Sequence, residues 1–188
     1  EWTLRVRGNG LCKLAAEKNL DCLQLGVGTE IFRGGGLGNP ALIGEYQKAA
    51  EEYGLFIHSL SPQFVDEYSF TMPRGRQDEE TAIKLVEKTI ELSRTFGCRS
   101  FLLPVLCRNG IVDGPSFHRA VEYIKRFSDM AAESGIETYL ELNQSADAVR
   151  NLLAAVDNPM VKLFFDSQNL YALNRTSMAV YFRELEDV

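Results

Sequence analysis

Apolar and polar positions alternate along this chain in one repeated order: an amphipathic stretch, a glycine, an apolar run, then a polar loop. Three helix-like stretches end at Gly54, Gly97 and Gly135, and each glycine leads at once into an apolar run: Leu55–Leu60, Cys98–Leu106 and Ile136–Leu142. A glycine there supplies the left-handed residue that closes a helix, and the short link suits a helix-to-strand turn. Met160–Phe165 follows the stop Asp157-Asn158-Pro159, and Asp21–Val27 and Thr3–Val6 bring the strand candidates to six. Between them, Thr81–Phe96 places Ile83, Val86, Ile90 and Phe96 on one broad face behind an acidic first turn of Asp78, Glu79 and Glu80 that suits the helix dipole. Phe117–Glu133 spaces Val121, Ile124, Phe127 and Ala131 as a helix, with Pro115 near its start. Ser145 reads as the N-cap of a helix reaching about Val156, and Ser177–Leu185 as a further helix. Strict strand–helix alternation predicts an α/β fold with a parallel sheet covered by helices.

The loops that follow strands are the long ones. Thr29–Pro40 is rich in glycine, Ser61–Gln77 is long and polar, and Cys107–Ser116 holds Arg108, Asn109 and Asp113. Tight turns at one end of a sheet and long loops at the other suit a (β/α)8 barrel working from its C-terminal face, and equally a doubly wound open sheet. Six units fall short of the eight that close a barrel.

Bulk properties narrow the function classes. The 188 residues, 45% of them hydrophobic and 24% charged, suit one globular domain. A net charge of −6 argues against binding a nucleic acid through its phosphates. No apolar run approaches the ~20 residues that span a bilayer, and Glu1–Arg5 lacks the plan of a signal peptide. Cys12, Cys22, Cys98 and Cys107 show no metal-binding spacing, which suits free thiols and a cytoplasmic location.

The chemistry concentrates at two strand ends. Glu141 lies at the end of one apolar run and is followed by Asn143 and Gln144; Asp166 ends the next and is followed by Ser167, Gln168 and Asn169. One helix separates them, so a single crossover between parallel neighbours sets both acids at the same end of the sheet. Two converging carboxylates invite a divalent cation. Oxygen ligation favours Mn²⁺ or Mg²⁺, with Zn²⁺ favoured where several histidines join. Asn143, Gln168 and Asn169 are candidates to bind the polar groups of a substrate, since amides both donate and accept. His58, read as ending its strand, is a further substrate-contact candidate, while His118 falls in the first turn of a helix. Arg74 and Arg76 sit in a loop that is a candidate lid over an anionic substrate. Gly34-Gly35-Gly36-Leu37-Gly38 fits neither GxGxxG nor a P-loop, and Cys107 has no histidine placed to act as its base.

With these strand ends in place, the chain resembles the xylose isomerase-like TIM barrels, the sugar isomerases and epimerases related to endonuclease IV. The resemblance runs from Leu14-Ala15-Ala16-Glu17 and the following LDCLQLG to VYFREL, and is most specific in SGIETYLELN, SADAVRNLLAAVDNP and VKLFFDSQN. It implies that Glu141 and Asp166 hold a divalent metal, that Glu141 is also a catalytic acid/base group, and that a histidine and a glutamate from two further strands complete the site. It therefore implies a barrel of about 250 residues or more, of which residues 1–188 are a single, C-terminally incomplete domain lacking the last two strands, the alternative being a degenerate homologue whose missing strands a partner chain supplies. Where many relatives carry a histidine, this chain has Asn169; Asp147 is out of step with the substrate-binding glutamate of epimerases.

The activity implied is metal-dependent isomerisation or epimerisation of a small sugar or hydroxy-keto compound through an enediolate, within carbohydrate metabolism. The alternatives are dehydration of a cyclitol ketone and a non-catalytic sugar-binding homologue. A homo-oligomer is a candidate assembly and the oligomeric state is left open, with no nucleic-acid or membrane partner expected.

Overall fold

A computed structural model describes residues 6–63, 67–174 and 177–186. Seven helices alternate with five strands among these residues: α1 Gly8–Glu17, β1 Cys22–Val27, α2 Pro40–Tyr53, β2 Phe56–Pro62, α3 Arg76–Phe96, β3 Ser100–Val105, α4 Gly114–Ala132, β4 Glu137–Leu142, α5 Ala146–Val156, β5 Val161–Phe164, α6 Ser167–Asn174 and α7 Met178–Glu184. The five strands are parallel and lie in the order β1-β2-β3-β4-β5. That order separates the two architectures left open by alternation. A doubly wound sheet reverses its winding part-way and covers both faces. An unbroken sequential order of right-handed crossovers keeps every helix on one side and leaves the other side concave, as in a barrel wall. The strand candidate Thr3–Val6 lies almost wholly outside the described residues.

The alternation of side chains follows from this arrangement. Leu25, Leu60, Phe101, Leu103 and Leu140 point to the helix side, are fully buried, and join one core with Leu85, Val86 and Ile90 of α3 and Ile124 and Phe127 of α4. Gln24, Ser59, Leu102, Tyr139 and Glu141 share the concave side by register. Between β1 and β2 the register slips: Leu23 pairs with Ile57 but Gln24 pairs with Ser59, so His58 is an extra, bulged residue.

Local signals account for most element ends. Gly54, Gly97 and Gly135 all adopt left-handed φ, at 68°, 65° and 68°. Asp157 takes the same role after α5. Asn39 caps α2 ahead of Pro40, Ser145 caps α5, and Asp113 forms a capping box with Ser116. Helix α3 begins at Arg76, earlier than Thr81; Asp78 and Glu79 stand in its first turn and Glu80 just beyond it. Helix α6, directly after β5, is not marked by any apolar periodicity.

Candidate active site at the ends of β4 and β5

Glu141 pairs in register with Phe164, and Asp166 stands two residues further on, so both acids rise from the concave side at the C-terminal ends of neighbouring strands. Asp166 does more than end a strand. Its Oδ1 accepts the backbone N–H groups of Gln168 at 2.8 Å and Asn169 at 3.1 Å, which makes it the N-cap of α6. That leaves Oδ2 turned to Glu141. The Asn169 side chain spans the gap: Nδ2 donates to Glu141 Oε1 and, at 3.2 Å, to Asp166 Oδ2. Burial raises the pKa of Glu141 first, and the neighbouring charge of Asp166 raises it further; the amide of Asn169 works in the opposite direction. A proton shared with Asp166 also favours the neutral form of Glu141.

The other candidates are distributed around this pair. Asn143 follows β4 and accepts from Gln144 Nε2 at 3.0 Å. Gln168 has its backbone tied to Asp166 and its side chain exposed. His58 lies in the third position of β2, not at its end, and its ring neighbours are Phe56 at 6.2 Å and Tyr139 at 6.4 Å. The register sets the adjoining Ser59 level with Ser100 and Glu137. His58 therefore lies about four residues of strand, or roughly 13 Å, below Glu141 on the concave face. The bulge that turns it inward was not visible from alternation in the sequence.

The loop after β2 differs from the lid expected of it. Arg76 lies in the first turn of α3, is 91% exposed, and pairs with Glu80; Arg74 is also exposed. Phe70 is fully buried against Tyr123 and Phe127 of α4. Asn109, also fully buried, holds this loop in place: Oδ1 accepts from Ser69 Oγ, Phe70 N, Thr71 N and Thr71 Oγ1 at 3.1–3.3 Å, while Nδ2 donates to Pro104 O at 3.0 Å. Arg108 pairs with Asp78 and donates to Glu67 O, and Arg119 pairs with Glu79 and donates to Phe70 O. These two loop-fixing arginines, with Asn109, lie beyond the reach of a motif search because their partners are remote in sequence.

The glycine-rich loop also turns inward on the protein itself. It folds as two 3-10 turns, and its backbone wraps Glu30: a Cβ placed on Gly28 or Gly36 would come within 2.1 or 2.6 Å of the Glu30 carboxylate. At the end of β1, the amide of Gln63 lies across Gly26 so closely that a Cβ there would meet it at 2.1 Å. Cys107 is exposed in the turn after β3, His118 is exposed on α4, and the Asp147 side chain is 95% exposed on α5.

A family model of the xylose isomerase-like TIM barrel matches residues 12–186. The chain belongs to this family. A 2-epi-5-epi-valiolone 7-phosphate 2-epimerase from Actinoplanes is 25% identical over 185 residues, covering 97% of this chain and 66% of that protein. Among solved structures, a D-psicose 3-epimerase determined in the presence of D-fructose has a TM-score of 0.74 at 15% identity, covering 96% of this chain and 65% of its own. A xylose isomerase-like TIM barrel protein from Mycobacterium smegmatis, in complex with magnesium, has a TM-score of 0.69 at 17% identity, covering 96% and 64%. The chain thus spans slightly less than two thirds of the length of these relatives. The carboxylate pair lies within the matched region. No helix among the described residues is long and apolar enough to cross a membrane.

Proposed function

We propose that this chain carries part of the catalytic centre of a divalent-cation-dependent isomerase or epimerase acting on a small sugar or hydroxy-keto compound. The observation that carries the reading is the Glu141–Asn169–Asp166 cluster at the C-terminal ends of adjacent parallel strands, where barrel enzymes hold their chemistry. The names of the matched epimerases support the substrate class, and the magnesium-bound relative supports the cation.

The residues present fit such a cation. Two carboxylates are pressed together in a poorly hydrated place, so their repulsion would be relieved by positive charge between them. Their donors are oxygens, which suits Mg²⁺ or Mn²⁺. Among the described residues no group of three or more His, Cys, Asp or Glu gathers to hold a metal, so Glu141 and Asp166 would supply two ligands of a larger set. When bound, the cation would polarise the carbonyl and adjacent hydroxyl oxygens of the substrate.

Glu141 is assigned the proton transfer. Its burial holds the carboxylate away from bulk water, where it would take the proton next to the carbonyl and leave an enediolate. Asp166, fixed by the start of α6, orients the second ligand oxygen. Asn143 and Gln168 flank the cluster and are assigned the substrate hydroxyls. His58 would be reached only by a substrate extending down the concave face toward Tyr139.

The test is solvent exchange. With Mn²⁺ in D₂O, the protein should place deuterium next to the carbonyl of candidate ketoses, and Glu141→Gln should abolish that exchange. Loss of water from a cyclitol ketone without exchange into any ketose would assign the dehydratase reading instead. Sugar binding without either reaction would leave a non-catalytic homologue.

A further inference from the structure

Asn169 touches Asp166 twice. Its backbone N–H reaches Oδ1 at 3.1 Å and its side-chain Nδ2 reaches Oδ2 at 3.2 Å, while the same Nδ2 donates to Glu141 Oε1. The first turn of α6 enforces this grip, because a residue three places after the cap points back over it. One amide nitrogen therefore stands between an oxygen of each acid, in the position where a cation would draw on both.

We infer that Asn169 is a positioning residue with two settings, resting on the cation site proposed above. Without a cation, its two amide protons hold the acids at bridging distance and offset part of their repulsion. A cation held by these acids would repel those N–H groups. A half-turn of the amide about its terminal bond removes the clash and presents Oδ1, an oxygen of the type that Mg²⁺ and Mn²⁺ accept. The histidine that the family resemblance leads one to expect at this position has no such oxygen. The substitution thus gives this chain a third oxygen donor that is held in place before loading and does not add charge.

The test combines metal calorimetry, metal-free melting and side-chain amide NMR on the full-length protein. Wild type should bind Mg²⁺, and its Asn169 NH₂ resonances should move on titration. Asn169→Leu, similar in size but without polar atoms, should bind at least tenfold more weakly and melt at a lower temperature without metal. Asn169→Asp should bind more tightly than wild type yet melt lower without metal, which keeps the test decisive if the leucine variant fails to fold. Unmoved NH₂ resonances, or a leucine variant within twofold of wild-type affinity, would overturn the role of Asn169 while leaving the site intact. A wild-type chain that takes up no cation would overturn the site itself, and this role with it.

Discussion

Replacing Asn109 by alanine should be the most damaging single change in the loops above the sheet. The side chain is fully buried and serves two loops and a strand at once. Its removal frees two hydroxyls, Ser69 and Thr71, that already have each other at 3.1 Å and, for Thr71, the Gly110 carbonyl at 3.3 Å. Those groups lose little. Three backbone groups lose their bonds to Asn109 as well: the N–H of Phe70, the N–H of Thr71 and the carbonyl of Pro104. A buried polar group left without a partner costs roughly 1–3 kcal/mol. Water entering the vacated space recovers part of that, and the Thr71 bond at 3.3 Å is long, so the lower half of the range applies. The expected loss is about 3–5 kcal/mol, read from urea unfolding as a lower midpoint at unchanged slope. Ser69→Ala provides the internal standard. It removes one bond to Asn109 and the acceptor for Met72 N at 2.8 Å, for about 1–2 kcal/mol. A loss below 1 kcal/mol in Asn109→Ala, or equal losses in the two variants, would refute the assignment of Asn109 as the hub.

Two further outcomes follow from the geometry. Because Glu141 has a raised pKa in the folded chain, its contribution to stability is complete at pH values below its unfolded value and is lost as pH climbs through the folded one. Metal-free protein should therefore lose stability over that interval, and Glu141→Gln should flatten the dependence in melting curves taken across pH; a variant as pH-sensitive as wild type there would contradict the cause given. Gly97→Ala should cost about 1–2 kcal/mol in urea unfolding, since φ is +65° and nothing lies within 4 Å of the added methyl, leaving backbone strain as the only penalty; a neutral result would show that the turn relaxes.

Those elements written in local chemistry were legible in the sequence. The glycine that follows α3 and the apolar run after it mark a helix end and a strand start without reference to the rest of the fold. The carboxylates at the ends of β4 and β5 were legible for the same reason, since acids are poorly suited to strand interiors. What was not legible depended on partners far along the chain. Helix α6 carries no apolar stripe, so its start is visible only once Asp166 is seen to accept from Gln168 and Asn169. The inward turn of His58 comes from a register slip between β1 and β2 that no single strand records. The loop after β2 is polar enough to read as a lid, yet Phe70 and Asn109 anchor it to α4 and β3. Strand order alone separates a barrel wall from a doubly wound sheet, and order is a property of pairing, not of any segment.

The central claim is that Glu141 and Asp166 together hold a divalent cation. Asp166→Asn tests it most directly, because asparagine caps helices as well as aspartate does and so spares α6 while removing the charge. Calorimetric titration of Mn²⁺ should show one site in the full-length wild-type protein and at least tenfold weaker binding in Asp166→Asn, with the metal-free melting temperature preserved or raised. Binding of equal strength in the two proteins would contradict the account.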